Sequence, residues 1–186
     1  MATTQLVTAE QFVAMPDVPG AQLELVRGEI VQVPTPAYTH MLFVMAFIRL
    51  LDPFVRSQRL GKVFTDGLGY VVARDPDTVY VPDVSFIAQE HIPAEGFGVI
   101  VPFAPDLAME IASPSNTRKE MREKAHDYLM GGARLVWVVS PADRTITVHA
   151  SEGDTPRALG LNDELDGGEV LPGFRVRVGD LFADAH

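Results

Sequence analysis

The chain has 186 residues, of which 47% are hydrophobic and 22% are charged, a composition that predicts one globular domain over residues 1–186 with a substantial core. It contains no cysteine, which excludes disulfides and thiolate metal sites and fits a reducing, cytoplasmic compartment. The formal net charge of −10 disfavours broad, non-specific binding of nucleic acid, although a local basic groove or a bound divalent ion would offset it.

Neither a secretion signal nor a membrane span is expected in this chain. The first fifteen residues lack a basic start followed by an apolar run. The most apolar stretch, 41–55, is interrupted by Arg49 and Asp52 and falls short of the roughly 20 apolar residues that a spanning helix needs. We therefore interpret this stretch as part of a buried helix.

The sequence of the N-terminal half predicts a short helix, a β-hairpin, a long helix and then three strands. Thr8 and Gln11 have the spacing of a capping box, and Pro16 stops the helix that they begin. Arg27-Gly28 has the turn chemistry of a hairpin. The predicted elements are a helix over 8–15, hairpin strands over 22–26 and 29–33, a long helix over 38–59 that Pro53 kinks or splits, and strands over 62–65, 68–74 and 79–87.

The C-terminal half predicts a strand–helix–strand unit. The predicted elements are a loop over 89–105, a strand over 107–112, a helix over 117–130, strands over 135–140 and 145–150, a loop over 151–169, and a last strand and short helix in the tail. A strand–helix–strand unit at 107–139 implies a right-handed crossover between parallel strands. We therefore predict an α/β fold with a mixed sheet flanked by helices, an N-terminal hairpin and additional strands.

Four charged residues lie in apolar, structured segments: Glu24, Asp83, Glu110 and Lys124. The segment LAMEIA is the most informative, because Leu107, Met109 and Ile111 share one face of the strand while Glu110 lies on the other face between two alanines. That arrangement leaves room for a hydrated ion or a phosphate. A solvated glutamate on a half-exposed strand is the alternative.

The other three residues have ordinary explanations when each is taken alone. Asp83 opens a predicted strand and has the position of a turn residue. Glu24 lies between two leucines and has the position of a solvent-facing strand glutamate. Lys124 lies on the flank of the apolar helix stripe beside Tyr128, where it can reach inward or pair with Glu120 four residues earlier.

Two further features point weakly to chemistry. Ser115, Asn116 or Thr117 caps the predicted helix, and such a helix N-terminus, with basic residues nearby, favours phosphate. Capping alone explains the same residues. His40 begins the long helix, and a lone histidine is more often structural than a ligand. The sequence has no phosphate-binding loop, serine-nucleophile motif or cysteine nucleophile.

Several segments together resemble the Uma family of endonucleases, in the PD-(D/E)XK restriction-endonuclease-like superfamily. The resemblance runs from about residue 8 to residue 183, in the same order along the chain. The segments that carry it are ELVRGEIVQVPTP followed by His40, VPDVSFI, DLAMEIASPSN, EKAHDYLMGGARLVWVV and LPGFRVRVGDLF.

The resemblance implies a metal-dependent nuclease that hydrolyses phosphodiester bonds of DNA. It implies that Asp83 and Glu110 are metal-binding acids, with Glu24 close to the same Mg²⁺ or Mn²⁺ ion. The lysine that the superfamily usually has two residues after Glu110 is replaced here by Ala112, and the resemblance implies that Lys124 on the following helix takes over its role. Because two strands are cut, a homodimer is also expected.

Two other functions remain open from the residues alone. The fold can serve as a catalytically inactive module that binds nucleic acid or protein, which the net charge of −10 and Ala112 favour. It can also act as a metal-dependent hydrolase of small phosphoesters, which would suit an acidic protein.

Overall fold

The computed structural model describes residues 6–16, 18–34, 36–65, 67–150 and 155–185. Its helices are α1 (Ala9–Val13), α2 (Tyr38–Gln58), α3 (Arg118–Met130) and α4 (Val178–Asp184), with a short 3-10 helix at Gln89–His91. Its strands are β1 (Gln22–Val26), β2 (Glu29–Val33), β3 (Gly61–Thr65), β4 (Gly69–Ala73), β5 (Thr78–Tyr80), β6 (Val84–Ala88), β7 (Ile100–Val101), β8 (Leu107–Ile111), β9 (Leu135–Ser140), β10 (Thr145–His149), β11 (Arg157–Leu159), β12 (Glu164–Asp166) and β13 (Arg175–Arg177).

Six strands form the central sheet, in the order β11-β10-β9-β8-β6-β3. β8 and β9 are parallel and are joined by α3, while the other neighbours in this sheet are antiparallel. This is the mixed sheet with a strand–helix–strand crossover that the sequence predicts, and it confirms the fold class.

Five strands form the hairpin sheet, in the order β2-β1-β5-β4-β7. Its first two strands are the predicted hairpin, and their register pairs Glu24 with Val31. The turn residues Arg27 and Gly28 both have positive φ, the conformation that a tight two-residue hairpin turn requires. A third, two-stranded sheet joins β12 to β13.

The two faces of β8 belong to different parts of the core. Leu107, Met109 and Ile111 are buried in a cluster with α2 and α4. Ala108 is buried in a second cluster that contains α3 and the strands β4 and β5. Glu110 shares the second face, because side chains alternate along a strand. The predicted orientation of Glu110 is therefore correct, and its neighbours there are α3 and the hairpin sheet.

The predicted strand 79–87 is wrong as a single element. It forms β5 in the hairpin sheet and β6 in the central sheet, with Val81-Pro82-Asp83 between them. Proline has no amide hydrogen to donate to a neighbouring strand, so the chain leaves one sheet at this point and enters the other.

The two predicted loops also contain regular structure. Residues 89–105 include the 3-10 helix and β7, and residues 155–169 include β11 and β12. Residues 151–154 of the second predicted loop lie outside the described residues. These strands are only two or three residues long, so they lack the alternating pattern by which longer strands are recognised.

The long helix α2 is a core helix, as its sequence predicts. Phe43, Phe47, Leu51 and Val55 are at most 2% exposed and pack against the central sheet. Pro53 lies inside the helix without splitting it. Within the described residues, α2 alone has the length and apolar composition that a membrane-crossing helix would need, a test that core helices also pass.

Candidate active site

The centre of the candidate site is an ion pair between Lys124 on α3 and Glu110 on β8. The Lys124 Nζ atom lies 3.0 Å from each carboxylate oxygen of Glu110. Glu110 is 8% exposed and Lys124 is 18% exposed. α3 connects β8 to β9 and packs against both sheets, and this placement allows a lysine from the helix to reach a strand carboxylate.

Glu24 joins this pair from the hairpin sheet. Its Oε1 atom accepts a hydrogen bond from Lys124 Nζ at 2.9 Å. The same atom accepts a hydrogen bond from the backbone N–H of Val81, also at 2.9 Å. Glu110 and Glu24, which lie 14 and 100 positions from Lys124 in the chain, therefore share its ammonium group.

Asp83 lies next to Glu110 and directly precedes the neighbouring strand β6. β6 and β8 pair antiparallel with Val84 opposite Met109, so Asp83, one residue before β6, comes beside Glu110 on β8. The Asp83 Oδ2 atom accepts a 2.6 Å hydrogen bond from the backbone N–H of Ile111. Its Oδ1 atom lies 3.0 Å from Nε2 of His40, at the start of α2. The structure thus brings all four predicted residues together, each from a different element or connection.

Burial and mutual contact change the protonation of the central pair. Burial raises the pKa of Glu110 to about 8; Lys124 opposes this shift, and the carboxylates of Asp83 and Glu24 add to it. Burial also disfavours charge on Lys124, but the carboxylates of Glu110 and Glu24 outweigh that cost and raise the pKa of its ammonium group. Lys124 therefore stays charged at neutral pH, and Glu110 keeps a proton to a higher pH than an exposed carboxyl group does.

Two tyrosines complete the surroundings and were not predicted as site residues. The Tyr128 hydroxyl donates to Glu110 Oε1 at 2.8 Å and is fully buried. The ring of Tyr80 lies 4.9 Å from Lys124 Nζ, and its hydroxyl donates to Asp127 at 2.8 Å. The only sequence indication was the spacing of Tyr128 one helical turn after Lys124, on the same face of α3.

His40 was noted in the sequence as a lone histidine and as part of the family resemblance, but it was not predicted as a site residue. Its contact with Asp83 bridges 43 positions along the chain, so no local spacing could indicate it. The predicted phosphate-binding role of the α3 N-terminus gains no support from its exposed basic residues. Arg118 pairs with Asp143 at 3.1 Å and Lys119 with Glu123 at 3.5 Å, while Thr117 and Glu120 form a capping box.

The chemistry available at this site is that of carboxylate oxygens and one ammonium group. Oxygen donors of this kind suit Mg²⁺ or Mn²⁺. In the part of the chain that the structure describes, no three acidic or histidine side chains are grouped so as to hold a metal ion as they stand. Glu110 on β8 and Asp83 just before β6 supply two adjacent carboxylates, and the third, Glu24, contacts Lys124 as Glu110 does.

Comparison with known proteins places the chain in a family. A family model described as "Uma2: Putative restriction endonuclease" matches residues 9–179. The chain belongs to the Uma2 family. The family resemblance inferred from the sequence is confirmed, and the Uma2 match includes all four predicted site residues.

A solved structure shares the fold of this Uma2 protein. It is described as a "putative nuclease belonging to DUF820" from Anabaena variabilis ATCC 29413. The two structures superpose with a TM-score of 0.84 at 21% sequence identity, covering 97% of this chain and 99% of that chain. At this identity the likeness establishes the fold. The curated proteins include no match to this chain.

Proposed function

We propose that this Uma2 protein hydrolyses phosphodiester bonds of DNA with the help of a divalent ion. The observation that supports the proposal is the convergence of Asp83, Glu110 and Lys124 around the end of β8. An amine beside two carboxylates is the minimal set for such a reaction. The carboxylates attract a cation, and the amine stabilises negative charge on a phosphoryl group.

The residues fit Mg²⁺ or Mn²⁺ by the chemistry of their donor atoms. Asp83 and Glu110 would hold the ion through carboxylate oxygens at the end of β8. When bound, the ion supplies positive charge to the phosphodiester and a water molecule of lowered pKa. Glu110 must give up its proton to serve as a ligand, because only the carboxylate form binds a cation well.

The chain's own residues divide the remaining work. Lys124 keeps its charge and donates hydrogen bonds toward the phosphoryl oxygens or the attacking water. Tyr128 holds the Glu110 carboxylate in one orientation through its hydroxyl. His40 and the Ile111 N–H hold the two oxygens of Asp83. Fixed donors of this kind reduce the reorganisation that the reaction would otherwise require.

Plasmid cleavage with matched variants tests this proposal. Wild-type protein is incubated with supercoiled plasmid and Mg²⁺ or Mn²⁺, beside Asp83→Asn, Glu110→Gln and the exposed control Glu29→Gln on β2. We expect cleavage by wild type and Glu29→Gln, and none by the two site variants. Activity that survives both site substitutions would contradict the assignment. Cleavage of small phosphomonoesters but not of plasmid would favour the small-phosphoester hydrolase.

A catalytically inactive module that binds nucleic acid is the second candidate. Two observations favour it: Ala112 stands where the superfamily has its usual lysine, and the net charge is −10. On this alternative, Lys124 neutralises Glu24 and Glu110 and keeps the site closed to ions. Binding of a DNA duplex without cleavage under any divalent ion would support it.

The proposed function has consequences for assembly and location. Cutting both strands of a duplex usually takes two sites, and two-fold symmetry provides them with one kind of chain. We therefore propose a homodimer that acts in the cytoplasm. Sedimentation of the protein with and without a short duplex tests the dimer.

A further inference from the structure

Glu24 contacts the lysine of the site from the hairpin sheet, whereas Asp83 and Glu110 lie side by side at the end of β8. Its carboxylate contacts Lys124 Nζ at 2.9 Å and is 8% exposed. No group of three acidic or histidine side chains suited to a metal ion occurs among the described residues. We propose that Glu24 is a positioning residue for Lys124 and is not a ligand of the divalent ion, an inference that rests on the proposed function.

The helix location of Lys124 explains why it needs such a partner. A lysine two residues after Glu110 would be held by the strand itself, but that position is Ala112. Lys124 instead reaches Glu110 from α3 on a flexible four-carbon stem. An ammonium group has three donors, and here Glu24 and Glu110 accept while the Tyr80 ring lies 4.9 Å away. These contacts select one position of Nζ.

Glu24 is itself held in place by the backbone. The Val81 N–H donates to the same Oε1 atom that accepts from Lys124. Val81 directly follows β5 and lies two residues before Asp83. One carboxylate therefore links the lysine of α3 to the connection that presents Asp83. The spacing between the amine and the metal-binding acids depends on this link.

A purely structural role for Glu24 is the alternative to be excluded. In that role Glu24 would only accept the hydrogen bond from Val81, where the chain leaves the hairpin sheet. Glu24→Gln separates the two roles, because the amide oxygen still accepts from Val81 while the negative charge beside Lys124 is lost. Glu29→Gln makes the same chemical change at an exposed position of β2 and serves as the control.

Kinetics and ion binding test the proposal together. We expect Glu24→Gln to lower kcat by about tenfold to a hundredfold with little change in KM, as is typical when the support of a site residue is removed. Adding Glu24→Gln to Lys124→Met should cause no further loss, because Glu24 acts through the lysine. Mn²⁺ affinity, measured by titration calorimetry, should fall in Asp83→Asn and stay near the wild-type value in Glu24→Gln. A fall in Glu24→Gln as large as that in Asp83→Asn would overturn the proposal.

A readout that needs no cleavage keeps this inference separate from the proposed function. The ¹⁵N resonance of the Lys124 ammonium group is assigned as the signal that is absent from Lys124→Met. We expect this signal in wild type, Asp83→Asn and Glu29→Gln, and its loss through faster proton exchange in Glu24→Gln. If wild type neither binds Mn²⁺ nor cleaves DNA, the proposed function fails while the ammonium signal still decides the role of Glu24. A signal unchanged in Glu24→Gln would overturn that role.

Discussion

Glu110 is the residue on which the site depends most, because it is buried and surrounded by other carboxylates. Among the described residues, Lys124 and Tyr128 donate hydrogen bonds to it directly. Burial raises the pKa of Tyr128 well above its ordinary value, and Glu110 and Glu24 add to that shift. Tyr128 therefore keeps its proton and remains a donor throughout the pH range in which the protein would work.

Removing the Tyr128 hydroxyl tests how much this donor contributes. Tyr128→Phe removes the hydroxyl that donates to Glu110 Oε1, so at pH 9, where Glu110 is ionised, we expect the free energy of unfolding to fall by about 1.5–3 kcal/mol, the range for hydrogen bonds to charged groups. Tyr70→Phe is the control, since Tyr70 is equally buried and pairs with the neutral Ser85 hydroxyl at 2.7 Å. It should cost only about 1 kcal/mol. Urea denaturation of both variants at pH 9 measures these losses. Equal losses would show that the charge on Glu110 does not strengthen its hydrogen bond with Tyr128.

The raised pKa of Glu110 predicts a pH dependence of stability. Between the ordinary value of 4.5 and about 8, the folded chain keeps a proton on Glu110 that the unfolded chain has lost. Stability therefore falls as pH rises through this window, with a slope of at most about 1.4 kcal/mol per pH unit from one group. Glu110→Gln cannot titrate, so its stability relative to wild type should rise from pH 5 to pH 8.

Urea denaturation at several pH values, in buffer containing a chelator, measures this difference. Glu29→Gln again provides the control, because Glu29 is exposed on β2. Parallel pH profiles for wild type and Glu110→Gln would show that Glu110 ionises at the same pH in the folded and unfolded chains.

At the scale of elements, α3 is the part that assembles the site. It begins at a capping box formed by Thr117 and Glu120, and it packs against β9 of the central sheet and β4 of the hairpin sheet. Its C-terminal end lies very close to β4. A Cβ atom added to Gly131 would meet the backbone oxygen of Val72 at 2.5 Å. The height of α3 above the hairpin sheet, and with it the reach of Lys124, therefore depends on this glycine.

Gly131→Ala tests that dependence. Because the contacting atom belongs to the backbone, α3 must shift, and we expect a loss of about 1–3 kcal/mol from overpacking together with a lower cleavage rate. Gly98→Ala is the matched control, since its added Cβ meets no atom within 4 Å. Urea denaturation and the plasmid assay measure the two effects. Gly131→Ala with wild-type stability and rate would mean that the contact between α3 and β4 is easily relieved.

The elements that the sequence predicts best are those with a local cause. The helix start at Thr8 follows from a capping box, the start of α3 from a cap that the sequence narrows to Ser115, Asn116 or Thr117, and the hairpin from Arg27-Gly28. Residues 79–87 divide at Pro82 because the two halves join different sheets. The pattern of neighbouring residues in the sequence does not indicate which sheet each half joins. The same holds within the site. The strand pattern places Glu110 correctly, but the contact between His40 and Asp83 exists only in the assembled fold.

At the scale of the whole molecule, the site lies where the two large sheets and α3 meet. Glu24 comes from the hairpin sheet, Glu110 from the central sheet, and Asp83 from the connection between the two. The chain as a whole carries 25 acidic and 15 basic residues, and the three carboxylates of the site, which are among the 25, concentrate part of the repulsion in one place. Lys124 offsets part of this locally. A divalent ion would offset more, and its binding should stabilise the entire fold.

Thermal unfolding with Mn²⁺ tests this consequence. An ion that binds only the folded chain adds about 2.7 kcal/mol at a concentration of a hundred times its Kd. For a chain of this size, that corresponds to a rise in Tm of about 5–10 °C. NaCl at matched ionic strength separates binding from general screening of the net charge, which acts on every variant alike. Asp83→Asn and Glu110→Gln should keep the NaCl effect and lose most of the Mn²⁺ effect, since each lacks one of the proposed ligands. If Mn²⁺ raises the Tm of all three proteins equally, the ion acts on the acidic surface, and the carboxylates at the end of β8 are not its site.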